Sequence, residues 1–311
     1  MPQTPVLALL APGQGSQTPG MLSPWLELPG ADERIAAWSE AVGLDLARLG
    51  TTATADEITD TAVTQPLVVA ATLLAHQELT NRGLLAGADT IVAGHSVGEI
   101  AAYAIAGVLA ADDAVTLAAT RGSEMAKACA IEPTGMAAVL GGDEAEVLAR
   151  LDALDLVPAN RNAAGQIVAA GAISALEKLA EDPPAKARVR LLATAGAFHT
   201  HFMSSALDGY SAAADAVATA DIAGSTTTLL SNADGQPVTS AADAMTKLVA
   251  QLTRPVRWDL CTETMRQREV TAIIEFPPAG TLVGIAKREL RGVPTYAVKT
   301  PADLDGLTEL A

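Results

Sequence analysis

Ser96 stands between two glycines in Val92-Ala93-Gly94-His95-Ser96-Val97-Gly98-Glu99, where an apolar strand gives way to a helix. A serine on such a turn takes a strained backbone conformation that lifts its hydroxyl clear of the sheet, while the glycines let neighbouring backbone pass without collision. The chemistry on offer is attack on a carbonyl. Val97 opens a helix expected over Val97 to Ala106, so its N–H and the positive end of the helix dipole face any oxyanion formed beside Ser96. The same spacing also occurs in buried turns, so the motif needs partners.

A serine hydroxyl is a weak nucleophile and requires a base within hydrogen-bond reach. The chain has four histidines. His76 falls inside a helical stretch, and His95 should face away from Ser96, because adjacent strand residues point to opposite sides. The segment Gly196-Ala197-Phe198-His199-Thr200-His201-Phe202-Met203 remains, with two histidines at i and i+2. That pair also suggests a metal, but no third ligand cluster accompanies it; a general base is the better account and no metal is expected. An esterase of the α/β-hydrolase class keeps its histidine near the C-terminus, and no histidine follows His201, so that class is disfavoured.

The elements that must position these groups follow α/β order. Val6 to Leu10 reads as a buried strand followed by the tight loop Pro12-Gly13-Gln14-Gly15-Ser16. Helices are expected over Ala31 to Val42, Pro66 to Asn81 and Asp112 to Ala128, with strand Thr90 to Ala93 leading into the serine turn. The texture then changes to strand Met136 to Leu140, helix Asp143 to Ala153, strands Val157 to Asn160 and Gln166 to Ala170, helix Ser174 to Glu181 and strand Ala187 to Leu191. That order, βαββαβ, is the split βαβ pattern of a ferredoxin-like domain. Helix Ser204 to Ala220, strand Thr227 to Ser231, helices near Ala241 to Leu252, Asp259 to Gln267 and Thr281 to Leu290, and strand Ala272 to Phe276 restore α/β texture. The expected architecture is an α/β-hydrolase-like parallel-sheet domain, residues 1–133 and 195–311, interrupted by a ferredoxin-like insert, residues 134–194, with the active-site cleft between them.

Composition narrows the partners. With 311 residues and 50% hydrophobic content the chain can bury a large core. The stretch Met1 to Leu10 carries no basic leader, and the longest apolar run, Ile100 to Ala111, stops at Asp112-Asp113, short of a membrane span. Cys129 and Cys261 form neither a zinc spacing nor a disulfide pattern, and are expected as small buried residues in a reducing cytoplasm. A net charge of −16 argues against nucleic acid or an anionic membrane as partner. Basic residues nevertheless outnumber acidic ones between Arg254 and Lys299, and this excess reads either as solvated surface or as a landing patch for an acidic partner or phosphorylated ligand.

Taken jointly and in order, Pro12-Gly13-Gln14-Gly15-Ser16-Gln17, Gln65-Pro66, Gly94-His95-Ser96-Val97-Gly98-Glu99, Arg121-Gly122-Ser123-Glu124-Met125, Asn160-Arg161-Asn162, Ala197-Phe198-His199-Thr200, Ser231-Asn232 and Gln251 to Val256 resemble the malonyl-CoA:acyl carrier protein transacylases of bacterial type II fatty acid synthesis. The resemblance runs almost end to end. It implies Ser96 as nucleophile, His199 as base oriented by a main-chain carbonyl near Gln251, and Gln14 and Val97 as donors of the oxyanion hole. It also implies Arg121, Met125, Asn162, Phe198 and Gln251 as substrate-binding residues, malonyl-CoA and phosphopantetheinylated acyl carrier protein as partners, and no cofactor. Arg121 has a rationale of its own: malonyl differs from acetyl by a carboxylate, which a guanidinium holds through two parallel hydrogen bonds. Ala197-Phe198-His199 resembles the form associated with malonyl rather than branched acyl groups. His201 and Pro277-Pro278-Ala279-Gly280 depart from the family pattern, away from the implied chemistry. The rivals are a serine thioesterase or lipase, which has no need of Arg121, and an idle carrier-protein docking module, which has no need of Ser96 and His199. If the partner is an acidic carrier protein, Lys287, Arg288 and Arg291, with Lys186, Arg188 and Arg190 on the insert, are the expected docking residues.

Overall fold

The computed structural model describes residues 4–222 and 226–310; residues 1–3, part of the opening stretch read for a leader, lie outside it. Strand β1 (Val6–Ala11) is an uninterrupted apolar run, the signature of a strand covered on both faces. It lies at the centre of a parallel sheet of order β7-β2-β1-β8-β9, with β2 at Asp89–Gly94, β7 at Thr227–Leu229, β8 at Ala272–Glu275 and β9 at Thr295–Ala297. Leu9 and Val92 face helices α3 (Thr61–Asn81), α4 (Gly98–Ile105), α5 (Ala111–Cys129) and α8 (Leu207–Ala216), with α1 (Ala31–Val42), α2 (Leu46–Thr51) and α9 (Ala241–Ala250) completing that layer. Ala8, Leu10, Ile91 and Ala93 face α10 (Trp258–Gln267) and α11 (Thr281–Glu289).

The register brings the chemistry together. Ala11 pairs with Gly94, so the loop carrying Gln14 and the turn carrying Ser96 leave adjacent strand ends. In open parallel sheets ligands bind beyond such carboxyl ends, where the chain order diverges to either side.

Residues between the two parts of this sheet build a separate antiparallel sheet of order β4-β5-β3-β6, from β3 (Thr134–Gly141), β4 (Val157–Ala163), β5 (Gln166–Ala172) and β6 (Ala187–Leu191). Helices α6 (Glu144–Asp152) and α7 (Ile173–Glu181) close one face through Val147, Leu151, Leu176 and Leu179 over Ala137, Val139, Ile167 and Ala169. Met136, Ala138 and Val168, on the other face, line a cavity shared with the parallel-sheet part. Backbone bonds from Arg161 N–H to the Val256 carbonyl and from Val256 N–H to the Ala159 carbonyl, each 2.9 Å, tie β4 to that part.

Some boundaries differ from the sequence reading. Helix α3 starts at Thr61, where the Asp60 side chain accepts from Ala62 N–H, and Pro66 lies inside it rather than opening it. The helix expected over Ser204 to Ala220 is a 3-10 turn, His201–Ala206, followed by α8; its end is drawn away by the Leu109–Thr219 bridge and the Ala220 N–H bond to the Val108 carbonyl. The strand expected over Thr227 to Ser231 stops at Leu229. Short α2 and β9 were not anticipated, being too brief for a hydrophobic period to register. Cys261 is buried, but Cys129 is only partly so. No helix among the described residues is long and apolar enough to cross a membrane.

Candidate active site

The turn around Ser96 is built by close backbone approach. A Cβ on Gly94 would meet the Gly98 carbonyl carbon at 2.0 Å, and one on Gly98 would meet the Ala11 carbonyl oxygen at 2.3 Å, so neither position admits another residue without displacement. Ser96 itself sits at φ 54°, the left-handed region that side chains avoid. Its backbone is held on both sides: Ser96 N–H donates to Asn232 Oδ1 at 2.9 Å, and its carbonyl accepts from Glu99 N–H at 2.9 Å and from Gln251 Nε2 at 3.1 Å.

His199, also at positive φ (61°), places Nε2 2.7 Å from Ser96 Oγ and Nδ1 2.8 Å from the Gln251 carbonyl oxygen. A carbonyl can only accept, so the proton belongs on Nδ1, leaving Nε2 to accept from the serine. Burial, with the nearby Arg121 charge, lowers the His199 pKa to about 3, keeping the ring in the neutral form a base requires. The flanking backbone is pinned by Ala197 N–H to Thr134 Oγ1 (3.0 Å) and Thr200 Oγ1 to the Ala197 carbonyl (2.6 Å). His201 is exposed and lies over the Phe202 ring, 4.2 Å between centroids. His95 bonds Asn162 Oδ1 at 2.8 Å through Nε2 and meets Trp258 edge-on; contrary to a position facing away from the site, it lines the same cavity.

Arg121, on α5, is 1% exposed. Nη1 donates to Gln65 Oε1 (2.8 Å) and Nη2 to Gln251 Oε1 (2.7 Å), with Nη2 also 3.4 Å from Ser96 Oγ. A buried guanidinium beside the nucleophile favours an acyl group with a negative end. Gln251 links the centre: besides accepting from Arg121 and, through its main chain, from His199, it donates from Nε2 to Glu99 Oε2 (2.5 Å). Glu99, fully buried, also accepts from Asn232 N–H at 2.6 Å.

The cavity, of about 330 Å³, is lined by Gln14, Ser96, Arg121, Met125, Asn162, Phe198 and His199 among the residues singled out above. Neither Gln251 nor Val97 lines it: Gln251 stands behind this wall, and Val97 is buried just ahead of α4. The Gln14 side chain is anchored by Nε2 to Thr61 Oγ1 at 3.2 Å. Glu99, Asn232 and Gln65 received no individual role from the sequence. A signal existed for Glu99: it is the one charged side chain in the otherwise apolar helix Gly98–Ile105.

Residues 9–302 match the acyl transferase domain family. The chain is 77% identical over 305 residues to the malonyl CoA-acyl carrier protein transacylase of Mycobacterium tuberculosis (strain H37Rv), covering 98% of this chain and 100% of that protein. It superposes on the crystal structure of MCAT from Mycobacterium tuberculosis with a TM-score of 0.95 and 78% identity, covering 97% of this chain and 99% of that one. A complex of a type II PKS acyl-carrier protein with its malonyl-transacylase aligns at a TM-score of 0.91 and 27% identity, covering 99% of this chain and 100% of that one. The chain therefore belongs to the acyl transferase family and, within it, to the malonyl CoA-acyl carrier protein transacylases.

Proposed function

We propose that this enzyme moves a malonyl group from malonyl-CoA to the phosphopantetheine thiol of acyl carrier protein, supplying fatty acid synthesis, and that Ser96 carries the group between them. Ser96 Oγ attacks the thioester carbonyl as His199 Nε2 takes its proton; the C–S bond breaks, the departing thiolate receives that proton, and a malonyl-serine ester remains. The carrier thiol then gives up its proton to His199 and attacks the ester carbonyl; the C–O bond to Ser96 breaks, Ser96 Oγ takes that proton back, and the malonyl group leaves on the carrier sulfur. The Val97 and Gln14 N–H groups hold the oxyanion, and Arg121 holds the malonyl carboxylate, with Met125, Asn162 and Phe198 around the acyl chain. The Gln251 carbonyl replaces the usual acidic third member in orienting the base. No metal or cofactor enters the cycle.

The observation that carries this reading is one hydroxyl, Ser96 Oγ, within 2.7 Å of His199 and 3.4 Å of a buried arginine. A lipase or thioesterase has no use for that cation. The cleft lies between a parallel-sheet domain, residues 1–133 and 195–311, and a ferredoxin-like insert, residues 134–194; the strand order β4-β5-β3-β6 with two helices on one face supports the latter. The proposed setting is the cytoplasm, which suits the two free thiols, Cys129 and Cys261. Mass spectrometry after mixing with malonyl-CoA tests the reading: a malonyl adduct is expected on Ser96 and is expected to be absent from Ser96→Ala. Adduct formation at normal rate in that variant would overturn the mechanism.

A further inference from the structure

From Arg121 on the cavity wall, a chain of short contacts runs back through three buried groups: Arg121 Nη2 to Gln251 Oε1, 2.7 Å; Gln251 Nε2 to Glu99 Oε2, 2.5 Å; and Asn232 N–H to Glu99 Oε1, 2.6 Å. The orientation of the Gln251 amide is over-determined. Its nitrogen faces Glu99 Oε2, the Ser96 carbonyl oxygen at 3.1 Å and Asn232 Oδ1 at 3.3 Å, all acceptors, so its oxygen must face Arg121. One amide thus separates a fully buried carboxylate from a fully buried guanidinium. Neither Arg121 nor Glu99 takes part in an ion pair within 4 Å with another side chain among the described residues.

We propose that Glu99 is a specificity-determining residue for the acyl group: it is the resident counter-charge of Arg121, relayed through Gln251, and it competes with an incoming malonyl carboxylate for that cation. The inference rests on Arg121 as the malonyl site. While Glu99 is ionised, malonyl binding sets two negative charges around one buried cation; while Glu99 is neutral, Arg121 serves malonyl alone. Acetyl carries no charge and does not register the difference. Two like charges ~10 Å apart at an effective dielectric of ~20 alter a binding constant by about tenfold.

The ionisation state is set by the surroundings. Burial outweighs the hydrogen bonds from Asn232, Ser231 and Gln251 and the charge of Arg121, raising the Glu99 pKa to about 7. The other ionisable groups around the cluster do not change state near neutrality. Tyr103 on α4, Tyr210 on α8 and Cys261 on α10 are pushed up by burial, His95 and His199 are pushed down, and Arg121 stays a cation. Glu99 is therefore neutral below that value and charged above it, and the malonyl preference is greater on the acid side.

The test compares rates of Ser96 acylation by malonyl-CoA and acetyl-CoA, followed by mass spectrometry from pH 5.5 to 8.5. In the wild type the malonyl-to-acetyl ratio is expected to fall about tenfold as pH rises, with its midpoint near 7; in Glu99→Gln it is expected to be high and flat. A purely structural Glu99 would lower both rates and the Tm together, leaving the ratio and its pH profile as in the wild type. A flat wild-type ratio, or a Glu99→Gln ratio that falls as the wild type's does, overturns the proposal. Should Glu99→Gln not fold, 13C NMR of wild-type enzyme labelled at glutamate Cδ decides. One carboxyl is expected to titrate near neutrality and to move upward when Ser96 is malonylated but not when it is acetylated; an unmoved midpoint overturns the proposal. Failure of the wild type to form any malonyl adduct would refute the transacylase reading instead, which is a separate outcome.

Discussion

Replacing Arg121 by alanine is expected to abolish most of the discrimination between malonyl and acetyl. The guanidinium has five N–H groups. One on Nη1 is engaged by Gln65 and one on Nη2 by Gln251, Nε–H has no partner among the described residues, and on the proposed reading the remaining N–H groups on Nη1 and Nη2 meet the malonyl carboxylate beside Ser96. Loss of those two charge-assisted bonds, with the malonyl carboxylate left unpaired in a partly desolvated cleft, should cost about 2–4 kcal/mol. That is roughly a 30- to 800-fold loss in kcat/KM for malonyl-CoA. The substitution also strips Gln65 Oε1 and Gln251 Oε1 of their donor, a cost that falls on both substrates alike. The ratio of the two kcat/KM values removes it, and is the quantity to measure by stopped reactions and mass spectrometry of the acyl-serine. Arg121→Lys, which keeps the charge without the planar fork, should fall between wild type and alanine. A ratio within threefold of the wild type in Arg121→Ala would refute the assignment.

His199→Ala should slow Ser96 acylation by about 10²–10⁴-fold, whereas His201→Ala, whose exposed ring lies over Phe202, should change it little; the reverse pattern in single-turnover assays would reassign the base. Because the His199 pKa is lowered to about 3, the wild-type rate with acetyl-CoA, which Glu99 does not affect, should show no loss of the base as pH falls through 6.5, and a fall in that rate there would contradict a neutral buried ring. Carrier-protein docking is expected on the two lips of the cleft: Arg190 pairs in register with Ala138 of the cavity wall, and Arg288 on α11 bonds Gln166, another wall residue. Reversing Arg190 and Arg288 to glutamate should weaken transfer to carrier protein and its salt dependence while sparing malonylation of Ser96 by saturating malonyl-CoA; unchanged transfer would place the docking surface elsewhere, and equal loss in both half-reactions would indicate damage to the fold or to coenzyme A binding.

Legibility of the fold followed the length over which a pattern repeats. Val6 to Leu10 is apolar without a break because both faces of β1 are covered, and the βαββαβ order survives in the antiparallel sheet because each strand there is five residues or more. Three residues, as in β9, leave no period to detect. Pro66 misled the reading of α3 because proline favours a first turn, yet Asp60 supplied the cap and the helix accommodated the ring in its interior. The same distinction runs through the site. Ser96 and its glycines form a motif legible within five residues, although part of its steric reason, the Ala11 carbonyl against Gly98, comes from β1, and the segment around His199 is likewise local. Nothing local joins Glu99 to Asn232, 133 residues away, or to Gln251, 152 residues away. Those partners meet only because Ala11 pairs with Gly94 and Thr90 with Thr227, which sets the chain after β7 beside the serine turn. A carboxylate alone in an apolar helix announces that a partner exists, since an unpaired buried charge costs several kcal/mol. Which partner it finds is a property of strand register, and so the residues that act through others on Ser96 and Arg121 emerge only when the sheet is assembled.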